Sequence, residues 1–498
     1  MLSEIVTILK EHPRTFSSIT ILAILTFWST SKKSKLPPGP LILPFIGDYG
    51  IIKAVLRKQG YSYIHSLFIR YGPIARTADP LGHTYYVVSD PHEAKRIFTD
   101  TDTFVRGPIL QQLGTGLFEN ALFVIPTGDL WKRHRKLIQP AFGPSHLKHA
   151  LSAAITSVYE IYDIWDRELK SLKQINVNMH QVLTAMALDV IGIVAFGESL
   201  NSIKNLSAGR DATWKDLETI TTDIVLKRSI SPAFLWSFFG YSTTSPRIAL
   251  AKDNVMKYMQ NLAQKRKEMI QNKAILQEGY QMDVLHRLLL SSQQNLMTED
   301  EVMGEIIGFF IAGHETTANT VTSCFLDLSL HPEICDKLYN EIKSVNLKDL
   351  TTDSLSKLTY LDKVLKESQR LHSVTPYVPR IALKETTVCG YQVDVGIQLL
   401  VNLYSINMDP KIHENPELFN PERFNEPMVS GSFLPFGDGP HNCIGQKMAL
   451  IQSKVMLIGL VQKYRFELVK DSPVEFVHTL TMGLKNGLFL TVQDRVSN

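Results

Sequence analysis

The sequence predicts a mainly helical body with a minor β region, behind a short apolar N-terminal segment. Three observations predict it. Residues 185–197 and 249–274 carry long helical patterns, the first apolar almost all round and the second amphipathic and basic. Thr298 and Glu301 have capping-box spacing and open a run that continues without a breaker to Leu330, where His331 and Pro332 stop it. Strand signals are few: 83–89 is one, and 387–403 reads as a hairpin or two.

The N-terminal segment comes first in the chain. Thr15 to Ser31 carries no charge but is short against the ~20 apolar residues of a bilayer span. Trp28 lies near one end, and Lys32, Lys33 and Lys35 follow. A signal peptide, a buried core helix and a membrane anchor compete for this run. No small-residue cleavage site follows it, and the downstream prolines read as a retained linker, so an anchor is expected over 1–35. The lysines favour a cytoplasmic body; Lys10 and Arg14 on the other side weaken that signal. Residues 35–40, "KLPPGP", read as a rigid extended spacer, because proline fixes its own φ and restricts its neighbour.

The body is expected to be one catalytic domain over 36–498. Of 498 residues, 44% are hydrophobic and 20% charged, enough apolar content for a sizeable core. A net charge of +3, from 52 basic and 49 acidic residues, gives no case for nucleic acid as a partner. Four cysteines (324, 335, 389, 443) show neither metal-knuckle spacing nor a disulfide framework. A reducing compartment is expected, with most thiols buried as small apolar groups. Residues 201–209 and 241–247 read as loops within the domain.

Four stretches carry chemistry. In the long helix, Ala312 and Gly313 are small enough for a flat object to lie against them, and Glu315 and Thr316 follow in an apolar run. Either Thr316 bonds back to a carbonyl one turn earlier, or a local distortion frees a hydroxyl and a carboxyl to relay protons. Glu367 and Arg370 share a helix face and would alone be a weak surface bridge. Arg423 lies in a proline-rich meander from which it could join them. Last, the loop "FLPFGDGPHNCIG" frames Cys443 with glycines and prolines, and a helix pattern begins near Gly445. Backbone N–H groups and a helix N-terminus converge there, a setting that stabilises a thiolate able to ligate haem iron.

Together, and in this chain order, the stretches resemble the cytochrome P-450 haem-thiolate monooxygenases of the microsomal eukaryotic type. Phe436, Gly439, Cys443 and Gly445 occupy the family's haem loop. Ala312, Gly313, Glu315 and Thr316 match its oxygen-activating helix. Glu367 and Arg370 match Glu-x-x-Arg, Arg423 completes that triad, and Trp131 and Arg135 match Trp-x-x-x-Arg. The resemblance covers about residues 36–494. One departure stands out: His441 replaces the arginine usual two residues before the cysteine. Sterol demethylases of the family share that histidine, but typically carry histidine where this chain has Glu315, so sterol demethylation is not assigned.

The resemblance implies a cytochrome P-450 fold and haem b with Cys443 as axial thiolate. It implies insertion of one atom of O2 into a lipophilic substrate: a fatty acid, sterol, terpenoid or xenobiotic. Glu315 and Thr316 would guide protons. Trp131, Arg135, Arg380 and His441 would hold the propionates, and Phe436 would pack near the iron–sulfur bond. Electrons would come from an NADPH-cytochrome reductase, with cytochrome b5 as a second donor, at the endoplasmic reticulum membrane. Two rival functions are a haem-thiolate isomerase or dehydratase, against which Glu315 and Thr316 argue, and a non-catalytic haem-binding protein. Residues 233–241, rich in aromatics, are expected either to touch the bilayer or to be core.

Overall fold

The computed structural model describes residues 36–43, 46–79, 83–210, 216, 224–231, 233–272 and 282–495; the run at 15–31, on which the anchor expectation rests, lies outside them. Eight helices position the site: α1 (Asp129–Ile138), α2 (Pro144–Ser171), α3 (Met179–Phe196), α4 (Pro246–Gln271), α5 (Val284–Gln293), α6 (Glu299–Leu330), α7 (Thr359–Leu371) and α8 (Gln446–Lys463).

The 32-residue α6 starts where its capping signal requires. Thr298 Oγ1 accepts from the Glu301 N–H at 3.1 Å, and Glu301 Oε2 accepts from the Thr298 N–H at 2.9 Å. Helix α6 is buried along most of its length and packs against α3, α7 and α8. Helix α3 is buried almost all round, as its composition predicts, and Phe196 stacks on Phe310 at 4.5 Å. Among the described residues, α3 alone is long and apolar enough to cross a bilayer, and it lies in the core.

Strands β1 (Ile74–Ala78), β2 (Thr84–Val88), β3 (Phe104–Val105), β5 (Val378–Ala382) and β8 (Gln398–Val401) form a five-stranded sheet in the order β1-β2-β8-β5-β3; β4 (Ile175–Asn178) belongs to another sheet. Only the first part of 387–403 is a hairpin. Its strands β6 (Thr386–Val388) and β7 (Tyr391–Val393) turn through Cys389 and Gly390, both at positive φ. The remainder, β8, pairs parallel to β2.

Two local expectations are corrected. Residues 202–207 form a helix, not a loop. The buried Asp189 on α3 accepts from the Ser202 and Ile203 amides at 2.8 and 3.0 Å, so a residue remote from the segment caps it. The proline spacer is not free of the body: Pro38 O accepts from the Arg76 amide at 2.7 Å, which seats the segment on β1.

Candidate active site

The cysteine loop enters α8 through two left-handed glycines. Gly437 and Gly439 have φ of 69° and 68°. A Cβ at Gly439 would sit 2.2 Å from the Phe98 carbonyl oxygen, so the loop can lie against the C-terminal end of the helix at Pro91–Thr99 only with glycine there. The Cys443 amide donates to Phe436 O at 3.0 Å, which folds the loop back on itself. The amides of Gly445 and Gln446 donate to the Cys443 sulfur, and the Arg135 guanidinium lies nearby.

These donors pull the thiol pKa down, but burial pushes it up by more, so it ends above the ordinary thiol value. Loop and helix terminus alone therefore do not hold a thiolate here. A cation on the sulfur would, because a coordinating thiol is deprotonated outright. Cys443 opens onto an internal cavity of about 340 Å³ between its loop, α1, α6 and the β5 segment.

Trp131, Arg135, Ala312, Gly313, Thr316, Arg380, Phe436, His441, Cys443 and Gly445 all line this cavity. The individual geometries refine the expectation. Ala312 is exposed toward the cavity on an otherwise buried helix. Gly313 is small for a second reason: a Cβ there would meet Ile191 on α3 at 2.7 Å. Thr316 Oγ1 donates to Ala312 O at 2.8 Å within an unbroken helix, the back-bonded arrangement rather than a distorted one. Glu315 does not line the cavity. Its Oε1 accepts from Thr481 Oγ1 at 2.5 Å, and that hydroxyl accepts from Asn319 Nδ2 at 3.0 Å.

Glu367, Arg370 and Arg423 lie away from the cavity in one network. Both Glu367 oxygens accept from Arg370 at 2.8 Å; Oε1 also accepts from Arg423 Nε at 3.0 Å and from the Asn420 amide at 2.9 Å. Arg370 Nη2 donates to Leu418 O at 3.3 Å, so α7 is tied to the meander.

The sequence reading missed Arg106, which also lines the cavity. Its Nη1 donates to Leu122 O at 2.7 Å. Burial, then repulsion from Arg380 and Arg135, lowers its pKa to about 9. His441 stacks on Trp131 at 3.9 Å between ring centroids, and its Nε2 lies 2.8 Å from Thr127 Oγ1. Burial and the positive charges of Arg106, Arg380 and Arg135 depress it to about 3, so it is neutral near pH 7. The histidine does not restore the charge of the arginine it replaces.

No carboxylate among the described residues pairs with Arg106, Arg135 or Arg380, and His441 Nδ1 is buried without a partner. Three guanidiniums and an orphan nitrogen therefore face one cavity that has a thiol at its floor. That set fits a planar iron-bearing group with two carboxylates: sulfur for the metal, cations for the acids.

The family model described as Cytochrome P450 matches residues 37–490. Probable cytochrome P450 6a14 of Drosophila melanogaster is 27% identical, over 95% of this chain and 96% of its own. Cytochrome P450 3A29 of Sus scrofa is 27% identical over 94% and 93%, and Protein LUTEIN DEFICIENT 5, chloroplastic, of Arabidopsis thaliana is 28% identical over 90% and 76%.

Proposed function

The chain belongs to the cytochrome P450 family and is a haem-thiolate monooxygenase; on that premise we propose that it oxygenates a lipophilic substrate using haem b held by Cys443. The observation that carries this reading is the cavity, where the Cys443 sulfur and the guanidiniums of Arg106, Arg135 and Arg380 meet an apolar wall of Leu122, Phe123, Phe309 and Val374.

When bound, the haem supplies the redox chemistry by which one atom of O2 enters the substrate and the other leaves as water. The chain's own residues do the rest. Arg106, Arg135, Arg380, Trp131 and the His441 Nδ1 side would hold its carboxylates, and the small Ala312 would leave room for substrate in the cavity. Thr316, once its hydroxyl turns from Ala312 O, presents a proton to the cavity. Glu315, which Thr481 and Asn319 hold outside the cavity lining, replaces that proton after its side chain swings toward Thr316. The apolar wall orients the substrate and excludes water.

Behind the cysteine an open cleft of about 830 Å³ is lined by Lys132, Lys136 and Lys447. This basic face, next to the thiolate, suits an acidic electron donor, and we assign it to an NADPH-cytochrome reductase or cytochrome b5. For the membrane, Phe234 and Phe238 are 80% and 81% exposed, and Phe239 is exposed beside them. Trp236 instead packs on Arg228 and donates to Ser231 O at 3.0 Å. The patch is surface rather than core, and supports contact with the endoplasmic reticulum bilayer alongside an N-terminal anchor. A form lacking residues 1–34 still binds liposomes in this reading, and Phe234→Ser with Phe238→Ser releases it without unfolding.

The function is tested by turnover under isotopically heavy O2 with reductase and NADPH, over a lipid library pre-screened for substrate-induced change of the iron spin state. Label in one product oxygen supports the reading; product without label, formed without NADPH, favours an isomerase or dehydratase.

A further inference from the structure

Between α1 and α6 lies a buried acid–base pair that the chemistry above does not use. His134 on α1 is completely buried, and its Nδ1 lies 2.6 Å from Oε1 of Glu305 on α6. Glu305 is 1% exposed and lines the cavity. The other ring nitrogen, Nε2, is buried without a hydrogen-bond partner and lies 3.8 Å from Oε2 of Glu301. Glu301 stands at the first turn of α6, where Arg133 Nη2 donates to its Oε1 at 2.5 Å and its side chain is 13% exposed. One imidazole thus stands between two carboxylates, one at the protein surface and one at the cavity.

A structural clamp explains part of this. The 2.6 Å bond ties α1, which carries Trp131 and Arg135, to α6. It does not explain the rest. A buried pair can often be replaced by apolar side chains without loss of stability. An unpartnered Nε2 costs its desolvation, which a phenyl ring in the same space would avoid. What that nitrogen gains is proximity to Glu301. At the inner end, burial raises the Glu305 pKa against the opposing pull of His134 and the Leu122 amide, so the group takes up a proton more readily than a free carboxylate.

We propose that Glu301, His134 and Glu305 form a proton intake from the start of α6 to the cavity, separate from the Glu315–Thr316 end. Glu301 Oε2 takes a proton from solvent and, as the half-buried side chain rotates out of its bond to the Thr298 amide, passes it to His134 Nε2. The imidazolium releases its Nδ1 proton to Glu305 Oε1, and Glu305 releases it into the cavity. The ring is left as its Nε2–H tautomer, and a proton shift from Nε2 to Nδ1 resets it before the next proton enters. One proton enters at Glu301, one leaves at Glu305, and no electron moves. The use of the intake rests on the oxygenase reading, since forming water from one oxygen atom consumes protons; its existence does not.

The test therefore has an arm without turnover. In the resting holoenzyme, acidified until the Glu305 carboxyl is protonated, its infrared band is identified by its loss in Glu305→Gln. It is then followed after transfer to D2O. The band exchanges at least about tenfold more slowly in His134→Phe than in wild type, and more slowly in Glu301→Gln. A missing band, or one that exchanges at the wild-type rate in His134→Phe, overturns the proposal whatever the enzyme oxidises. The second arm uses the apolar double variant His134→Leu/Glu305→Met, which keeps the volume and removes the relay. With haem content and thermal midpoint retained, it shows a larger solvent deuterium isotope effect on turnover and more NADPH consumed per product. A folded double variant with the wild-type isotope effect and coupling also overturns it, because a clamp alone would move neither.

Discussion

Two buried clusters of arginine stand in this chain, and they are built on opposite plans. In the Glu367 network, a fully buried carboxylate receives two guanidiniums and a backbone amide, and Arg370 and Arg423 finish their valences on carbonyls. In the cavity, Arg106, Arg135 and Arg380 face one another without a carboxylate among the described residues, and each has its pKa lowered by burial. The first cluster is satisfied by the protein alone. The second finds carbonyl acceptors but no counter-charge among the described residues, and calls for an anion that the protein must bind. Charge balance within a cluster therefore separates architecture from site more reliably than burial does.

The largest effect should come from breaking the satisfied cluster. Glu367→Gln leaves two buried guanidiniums facing a neutral amide and should cost about 3–5 kcal/mol, measured by urea unfolding of the haem-free chain. That is a large share of a typical domain's ~5–15 kcal/mol. Arg380→Met should act in the opposite sense. Among the described residues its guanidinium bonds only the adjacent Pro379 carbonyl, at 2.9 Å, and it lies over the Phe98 ring, so haem-free stability should change little. Haem transfer to an acceptor protein should instead quicken about 10- to 100-fold, the value of a charge-assisted hydrogen bond. Equal loss of stability in the two variants would erase the distinction.

Much of this was legible in the sequence, and the rest was hidden for identifiable reasons. The capping box of α6, the turn glycines of the Cys443 loop and the breaker after Leu330 are local signals, and the structure bears them out. Arg106 carries no local signal. It joins the site because Phe104 and Val105 pair with Ala382 and Ile381, a register that continues to set Arg106 opposite Arg380. The helix at 202–207 depends on Asp189, which local propensity cannot see. The placement of Glu315 was not readable from spacing: it stands three residues from Ala312, at the edge of the face that Ala312 and Thr316 share, and it is the Thr481 hydroxyl, remote in sequence, that draws it aside.

Smaller effects sharpen the contrast from a third kind of burial, the neutral histidine. His478 is buried beside Tyr377, and burial lowers its pKa from 6.5 to about 4. Because the folded value is the depressed one, the unfolded chain binds the extra proton first. His478 therefore leaves stability intact above about pH 6.5 and subtracts from it as pH falls toward 4. Unfolding midpoints across that window should decline less steeply in His478→Phe. Thr316→Ala should have the smallest effect on the fold, since it removes one hydroxyl bonded to Ala312 O. Haem and substrate binding should persist while electrons are diverted from product to hydrogen peroxide; unchanged coupling would remove Thr316 from proton delivery.

The central claim is that the Cys443 sulfur is the ligand for which the cavity is built. The most direct measurement is the absorption spectrum of the reduced, carbon-monoxide-treated holoprotein, compared between wild type and Cys443→Ala at equal haem content. Wild type should show the strongly red-shifted Soret band of thiolate ligation. The variant should fold, keep haem through the arginines of the rim, and lack that band. A well-folded Cys443→Ala protein that retains the shifted band would contradict the account, because another residue would then hold the iron.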